Sequence, residues 1–83
     1  MTYIAEIDIM PHDEILDPQG KAVQLGLHNL QLDRVADVRI GKHVRFRVEA
    51  DDEATARAQA ETACKRLLAN PVVETYSIRL TAA

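Results

Sequence analysis

The sequence has one cysteine, Cys64, one serine, Ser77, and three aromatic residues, Tyr3, Phe46 and Tyr76. A lone cysteine excludes an intramolecular disulfide. A lone serine, with no histidine and aspartate arranged around it, leaves nucleophilic hydrolysis without obvious players. Three scattered aromatics supply no stacking platform for single strands. Positive charge is short as well: 10 Lys and Arg stand against 13 Asp and Glu, a net charge of −3. A module that tracks phosphates normally carries a basic face, so nucleic acid is disfavoured as a partner. No apolar run approaches a secretory signal core or a membrane span, and the chain reads as cytoplasmic, with no membrane partner. No Gly/Ser or Pro-rich linker divides it. The 83 residues therefore read as one domain, residues 1–83. At this size a single core leaves a thin folding margin, which favours further burial between subunits.

What is present is strong periodicity. Residues 3–10 alternate, with Tyr3, Ala5, Ile7 and Ile9 on one side and Ile4, Glu6, Asp8 and Met10 on the other, the pattern of a half-buried strand. Asp17-Pro18 then marks a helix start: Asp caps free amides, and Pro fits the first helical position, whose amide has no intrahelical partner. The helix is expected over residues 18–30, with Val23, Leu27 and Leu30 in one stripe, Gly26 beside them, and Leu25 off the stripe as a candidate subunit contact. Residues 35–40 read as a second strand, Gly41-Lys42 as a tight turn, and residues 43–49 as a third strand with Val44, Phe46 and Val48 inward. Asp51 or Asp52 caps a second helix over residues 53–69, whose apolar stripe is Ala56, Ala60, Ala63, Cys64 and Leu67. Asn70-Pro71 ends it, because Asn tolerates the left-handed conformation and the residue before Pro disfavours the helical one. Residues 72–80 form the last strand, with Tyr76, Ile78 and Leu80 inward.

The order β-α-β-β-α-β predicts an α+β fold: a four-stranded, mainly antiparallel sheet with two helices on one face, ferredoxin-like or related. With the first strand central, Glu6 and Asp8 stand beside Arg45, Arg47 and Arg79 on the uncovered face. Ile4, Met10, Val35 and Val73 among those charges suggest that a second copy closes it.

Groups able to do chemistry are sparse. His12, His28 and His43 lack the paired spacing of a metal site. Cys64 sits in a stripe of alanines and leucine, as an inert buried thiol does. Asp13, Glu14 and Asp17 read as a solvated loop and a helix cap. Neither G-x-x-x-x-G-K-[ST] nor G-x-G-x-x-G occurs. The residues alone describe a small acidic domain that works by binding, with no catalytic, cofactor-binding or metal residue expected.

Asp17-Pro18-Gln19-Gly20, Gly41-Lys42 and the run from Leu67 through Asn70-Pro71 to Glu74, in this order and at this chain length, resemble the PurS family over about residues 3–80. These are small subunits of phosphoribosylformylglycinamidine (FGAM) synthase, the ATP- and glutamine-dependent ligase of purine synthesis. The resemblance implies a non-catalytic bridge between a glutaminase subunit, PurQ, and an ATP-dependent synthetase subunit, PurL, with a dimer or tetramer of the chain itself. It implies no cofactor on this chain, ATP and Mg being held by the synthetase. Asp17, Pro18, Gly20, Gly41, Asn70 and Pro71 match the family pattern as structural positions. Gln19, Lys42 and Glu74, polar positions that no fold rule demands, join Leu25 as candidate interface residues. An ACT-like regulatory domain shares the β-α-β-β-α-β order and is the alternative, although Pro11-His12-Asp13 stands where its Gly-rich turn belongs; an RNA-recognition domain on a similar sheet lacks outward aromatics.

Overall fold

Alternation along residues 3–10 becomes the central strand of a three-stranded antiparallel sheet. The computed structural model describes residues 1–83, with elements β1 (Thr2–Pro11), α1 (Pro18–Asn29), β2 (Lys42–Glu49), α2 (Glu53–Ala63), one π-helical turn (Cys64–Leu68) and β3 (Glu74–Ala82). The strand order is β2-β1-β3. Register places Ile7 opposite Val44 on one side and Ile78 on the other, so inward rows align across the sheet. Tyr3, Ala5, Ile7, Ile9 and Val48 are buried beneath Ala56, Ala60 and Cys64 of α2 and the following turn. The small side chains of that stripe let the helix lie close to the sheet.

The expected fourth strand does not exist. Residues 35–40 run back along α1 without joining the sheet. Their amides are taken by side chains of α1 and its cap: Val38 N–H donates to Gln24 Oε1 at 3.2 Å, and Ile40 N–H to Asp17 Oδ2 at 2.8 Å. Asp37 adopts a left-handed φ of 56°, which interrupts any extended run. With no second strand there is no hairpin at Gly41-Lys42. Gly41 instead passes so close to β1 that a side-chain carbon would collide with the Ile9 carbonyl and the Met10 sulfur.

The two helices also do not share a face. α2 packs across all three strands, whereas α1 has no comparable contact with the sheet. Residues 12–41 form an arm that extends from one end, giving dimensions of 51 × 26 × 14 Å and a radius of gyration of 16.3 Å. A compact domain of this length has a radius near ~12 Å. The second helix ends earlier than expected, and its final turn widens, which rotates Leu67 out of the stripe to 83% exposure. Asn70 does not take the left-handed conformation expected of it. Its side chain accepts from Val72 N–H at 3.1 Å, forming a turn that delays β3 to Glu74.

Candidate functional site

The residues singled out by sequence meet where the arm joins the sheet. Asp17 caps α1 through Gly20 N–H (2.9 Å) with one carboxylate oxygen and holds Ile40 N–H with the other. Those two amides, Ile40 first, hold its carboxyl below the usual carboxylate range, and the Arg39 guanidinium reinforces them. Gly20 is buried because the Val38 carbonyl and the Asp17 carboxylate occupy the space a methyl would fill. Arg39 crosses to the loop before the helix, where Nη2 donates to the carbonyls of Ile15 (2.8 Å) and His12.

His12 ties this arm to the connection after α2. Its N–H donates to the Val73 carbonyl at 2.9 Å, and its Nε2 lies 3.3 Å from the Pro71 carbonyl. On the same end of the sheet Glu74 Oε1 accepts from Asn70 N–H at 2.8 Å, while Oε2 pairs with Lys42 Nζ at 3.6 Å. Lys42 and Glu74 thus face each other across β1, between the first residues of the two edge strands. The structure brings Asp17, Gly20, Gly41, Lys42, Asn70, Pro71 and Glu74 into one junction. Gln19 and Leu25 lie outside it, exposed on α1, with Leu25 at 63%. His12 and Arg39, which carry the tie between arm and sheet, escaped the sequence reading; neither has a local signal, because their partners are carbonyls from distant segments.

Between α1 and the returning segment lies an open cleft of about 720 Å³, with Asp17, Lys21, Gln24, His28, Asp37 and Arg39 around it. His28 Nε2 closes its far end, 2.7 Å from the Val35 carbonyl. No group of three or more His, Cys, Asp and Glu is placed to hold a metal ion.

The uncovered sheet face carries its charges in register, with Glu6 between Arg45 and Arg79, and Asp8 between His43 and Ser77. Arg79 bridges Glu6 (3.2 Å) and Asp8 (3.4 Å), and His43 Nδ1 lies 2.6 Å from Asp8, holding that carboxyl below its usual range. Val35 and Val73, expected among these charges, lie instead on the arm and in the turn before β3. On this face Glu6, Asp8, His43 and Arg79 are paired with one another, Arg45 and Arg47 have no carboxylate within 4.0 Å, and Met10 is exposed beside them. Beneath the sheet's other face, Tyr76 donates its hydroxyl to Glu61 at 2.6 Å, which pushes the phenol up to about 12. Burial raises the Cys64 thiol above its ordinary value, with Glu61 adding to it, as an inert thiol requires. No helix is long and apolar enough to cross a membrane.

The family model described as PurS, phosphoribosylformylglycinamidine (FGAM) synthase, matches residues 4–82. The PurS subunit of phosphoribosylformylglycinamidine synthase from Synechocystis is 47% identical over 81 residues, covering 98% of this chain and 81% of its own length. The crystal structure of the Thermotoga maritima purS subunit superposes with a TM-score of 0.89 at 31% identity, over 98% of this chain and 93% of that one. A chain in the structure of PurLQS from Thermotoga maritima gives a TM-score of 0.90 at 31% identity, over 98% of this chain and 99% of that one.

Proposed function

This chain belongs to the PurS family, and from that membership we propose that it is the bridging subunit of a phosphoribosylformylglycinamidine synthase, joining a glutaminase subunit to an ATP-dependent synthetase subunit in purine biosynthesis. The family match over residues 4–82 carries the reading. The likeness to a chain of PurLQS supports a place in an assembly with the two larger subunits. The chain's part is geometry: the glutaminase and synthetase centres, with ATP and Mg, belong to the partners in the cytoplasm, and ammonia released at one reaches the other at high effective concentration when both are docked.

The physical features agree with such a role. The polar groups at the junction of arm and sheet are engaged with one another: Asp17 with backbone amides, Glu74 with Asn70 and Lys42, Arg39 with carbonyls. A junction braced in this way fixes the angle of a long arm, which suits a spacer between two larger bodies. Gln19 and Leu25 on the exposed side of the arm remain the candidate docking positions, with Lys42 and Glu74 setting the junction that presents them. The ACT-like alternative drew on a β-α-β-β-α-β order, which the three-stranded sheet does not have.

Assembly is the test. Gel filtration of this chain with a matched glutaminase and synthetase, in the presence of glutamine, ATP and Mg, is expected to give one peak containing all three. Separate elution of this chain under all of those conditions overturns the proposal.

A further inference from the structure

β2 is an edge strand whose outer side has no neighbouring strand. Met1 and Ala50 exchange both backbone hydrogen bonds, at 3.0 Å each. In an antiparallel pair such exchanges recur at every second residue, so Lys42, Val44, Phe46 and Val48 bond to β1. His43, Arg45, Arg47 and Glu49 then direct their amides and carbonyls away from the sheet, where no group of this chain bonds to them.

The side chains along this edge select what can pair with it. His43, Arg45 and Arg47 stand exposed in a row on the open face. His43 is held by Asp8, but Arg45 and Arg47 have no carboxylate within 4.0 Å, because Glu6, between Arg45 and Arg79, pairs with Arg79. A hollow of about 310 Å³ is lined by Ile4, Arg45, Phe46 and Arg47. Val44 and Phe46 belong to the inward row yet are only half-buried, since no strand lies beyond them. An incoming strand thus meets free backbone groups, two unpaired cations at alternate positions and an incompletely covered apolar row.

We propose that β2 takes an extended segment of one of the two larger subunits as a fourth strand, with carboxylates at alternate positions beside Arg45 and Arg47 and apolar residues between them beside Val44 and Phe46. Main-chain bonds supply the affinity of such strand addition, and the alternate side chains its specificity. Cations along an edge deter chance pairing and admit a strand that brings carboxylates. A second copy does not fit: antiparallel self-pairing centred on Phe46 sets Arg45 against Arg47, and like charges directly opposite are destabilising. The identity of the larger protein rests on the proposed bridging function, and the edge adds a docking surface on the sheet to the candidate positions Gln19 and Leu25 on the arm.

Affinity of the full chain for the matched synthetase, the matched glutaminase and the two together, with glutamine, ATP and Mg present, tests it; far-UV circular dichroism and the chain's own sedimenting mass are the controls. Arg45→Pro removes an amide that the chain's own ladder does not use, as an outer edge allows, and is expected to weaken binding to one of the two subunits at least tenfold with both controls unchanged. Arg45→Glu with Arg47→Glu, which leaves the backbone intact, is expected to do the same, and Arg45→Lys with Arg47→Lys to retain most of the binding. Binding unchanged by the charge-reversed variant, or by a folded Arg45→Pro, overturns the proposal and leaves the bridging function standing. A loss of binding that comes with a change in the chain's own mass also overturns it, because the edge is then held by a second copy. A wild-type chain that binds neither subunit, alone or together, overturns both.

Discussion

Gly20→Ala tests whether the arm is built as a braced unit or as a helix with a loose tail. By helix propensity alone the change is favourable, because alanine exceeds glycine by about 1 kcal/mol in a helix interior. The structure reverses the sign. A methyl at Gly20 meets the Val38 carbonyl, which is backbone, and the Asp17 carboxylate, which is occupied by two amides. Relief requires the returning segment to move away from α1, which stretches the bonds from Val38 to Gln24 and from Ile40 to Asp17. Overpacking of this kind costs about 1–3 kcal/mol, enough to cancel the propensity gain and leave a net loss of about 0–2 kcal/mol. Urea unfolding followed by circular dichroism reads the difference directly, with Ala22→Gly giving the propensity term on an exposed face of the same helix. A Gly20→Ala protein that is more stable than wild type by the full propensity difference would refute the packing of the returning segment on α1.

Three other outcomes are expected. Ile7→Ala, at a fully buried position between Val44 and Ile78, costs about 2–5 kcal/mol, a large part of the roughly 4–12 kcal/mol available to a chain of this length, and urea midpoints read the loss. Asp8, Asp17 and Asp52 titrate below the ordinary 3.8, through His43, the Ile40 amide and the Thr55 amide respectively. Their folded values lie below their unfolded ones, so their stabilisation is present above that pH and is lost as pH falls through the depressed values; acid unfolding scans should show this, with a shallower loss in Asp17→Asn. Tyr76 behaves in the opposite sense at the alkaline end: its phenol is raised from 10 to about 12, so stability falls as pH rises through that interval. Phenolate absorbance should include a step near 12 that Tyr76→Phe removes.

Much of the sheet was legible because its signals are local. The alternation of β1, the caps at Asp17 and Asp52, and the inward rows Val44-Phe46-Val48 and Tyr76-Ile78-Leu80 all follow from spacing and side-chain chemistry. Residues 35–40 misled because an extended apolar run looks like a strand until its amides find other acceptors. Gln24 and Asp17 supply those acceptors from a helix the pattern treats as a separate element. On α1 the expected packing stripe of Val23, Leu27 and Leu30 is not the face this chain covers: the returning segment lies on Gly20, Gln24 and His28, through hydrogen bonds that apolar periodicity does not register, and Val23 and Leu30 stay exposed. The junction was half legible. Asp17 and Asn70 declare themselves as turn and cap residues, whereas the meeting of Lys42 with Glu74, and of Arg39 with His12, depends on how distant segments are brought together.

The central claim is that this chain connects two catalytic subunits and does no bond making itself. Product formation by a matched glutaminase and synthetase, with and without this chain, tests it most directly when glutamine is the nitrogen source in one series and an ammonium salt in the other. The account predicts that the glutamine-driven rate depends on the chain and that ammonium bypasses much of that dependence. Rates that do not respond to the chain in either series would contradict it.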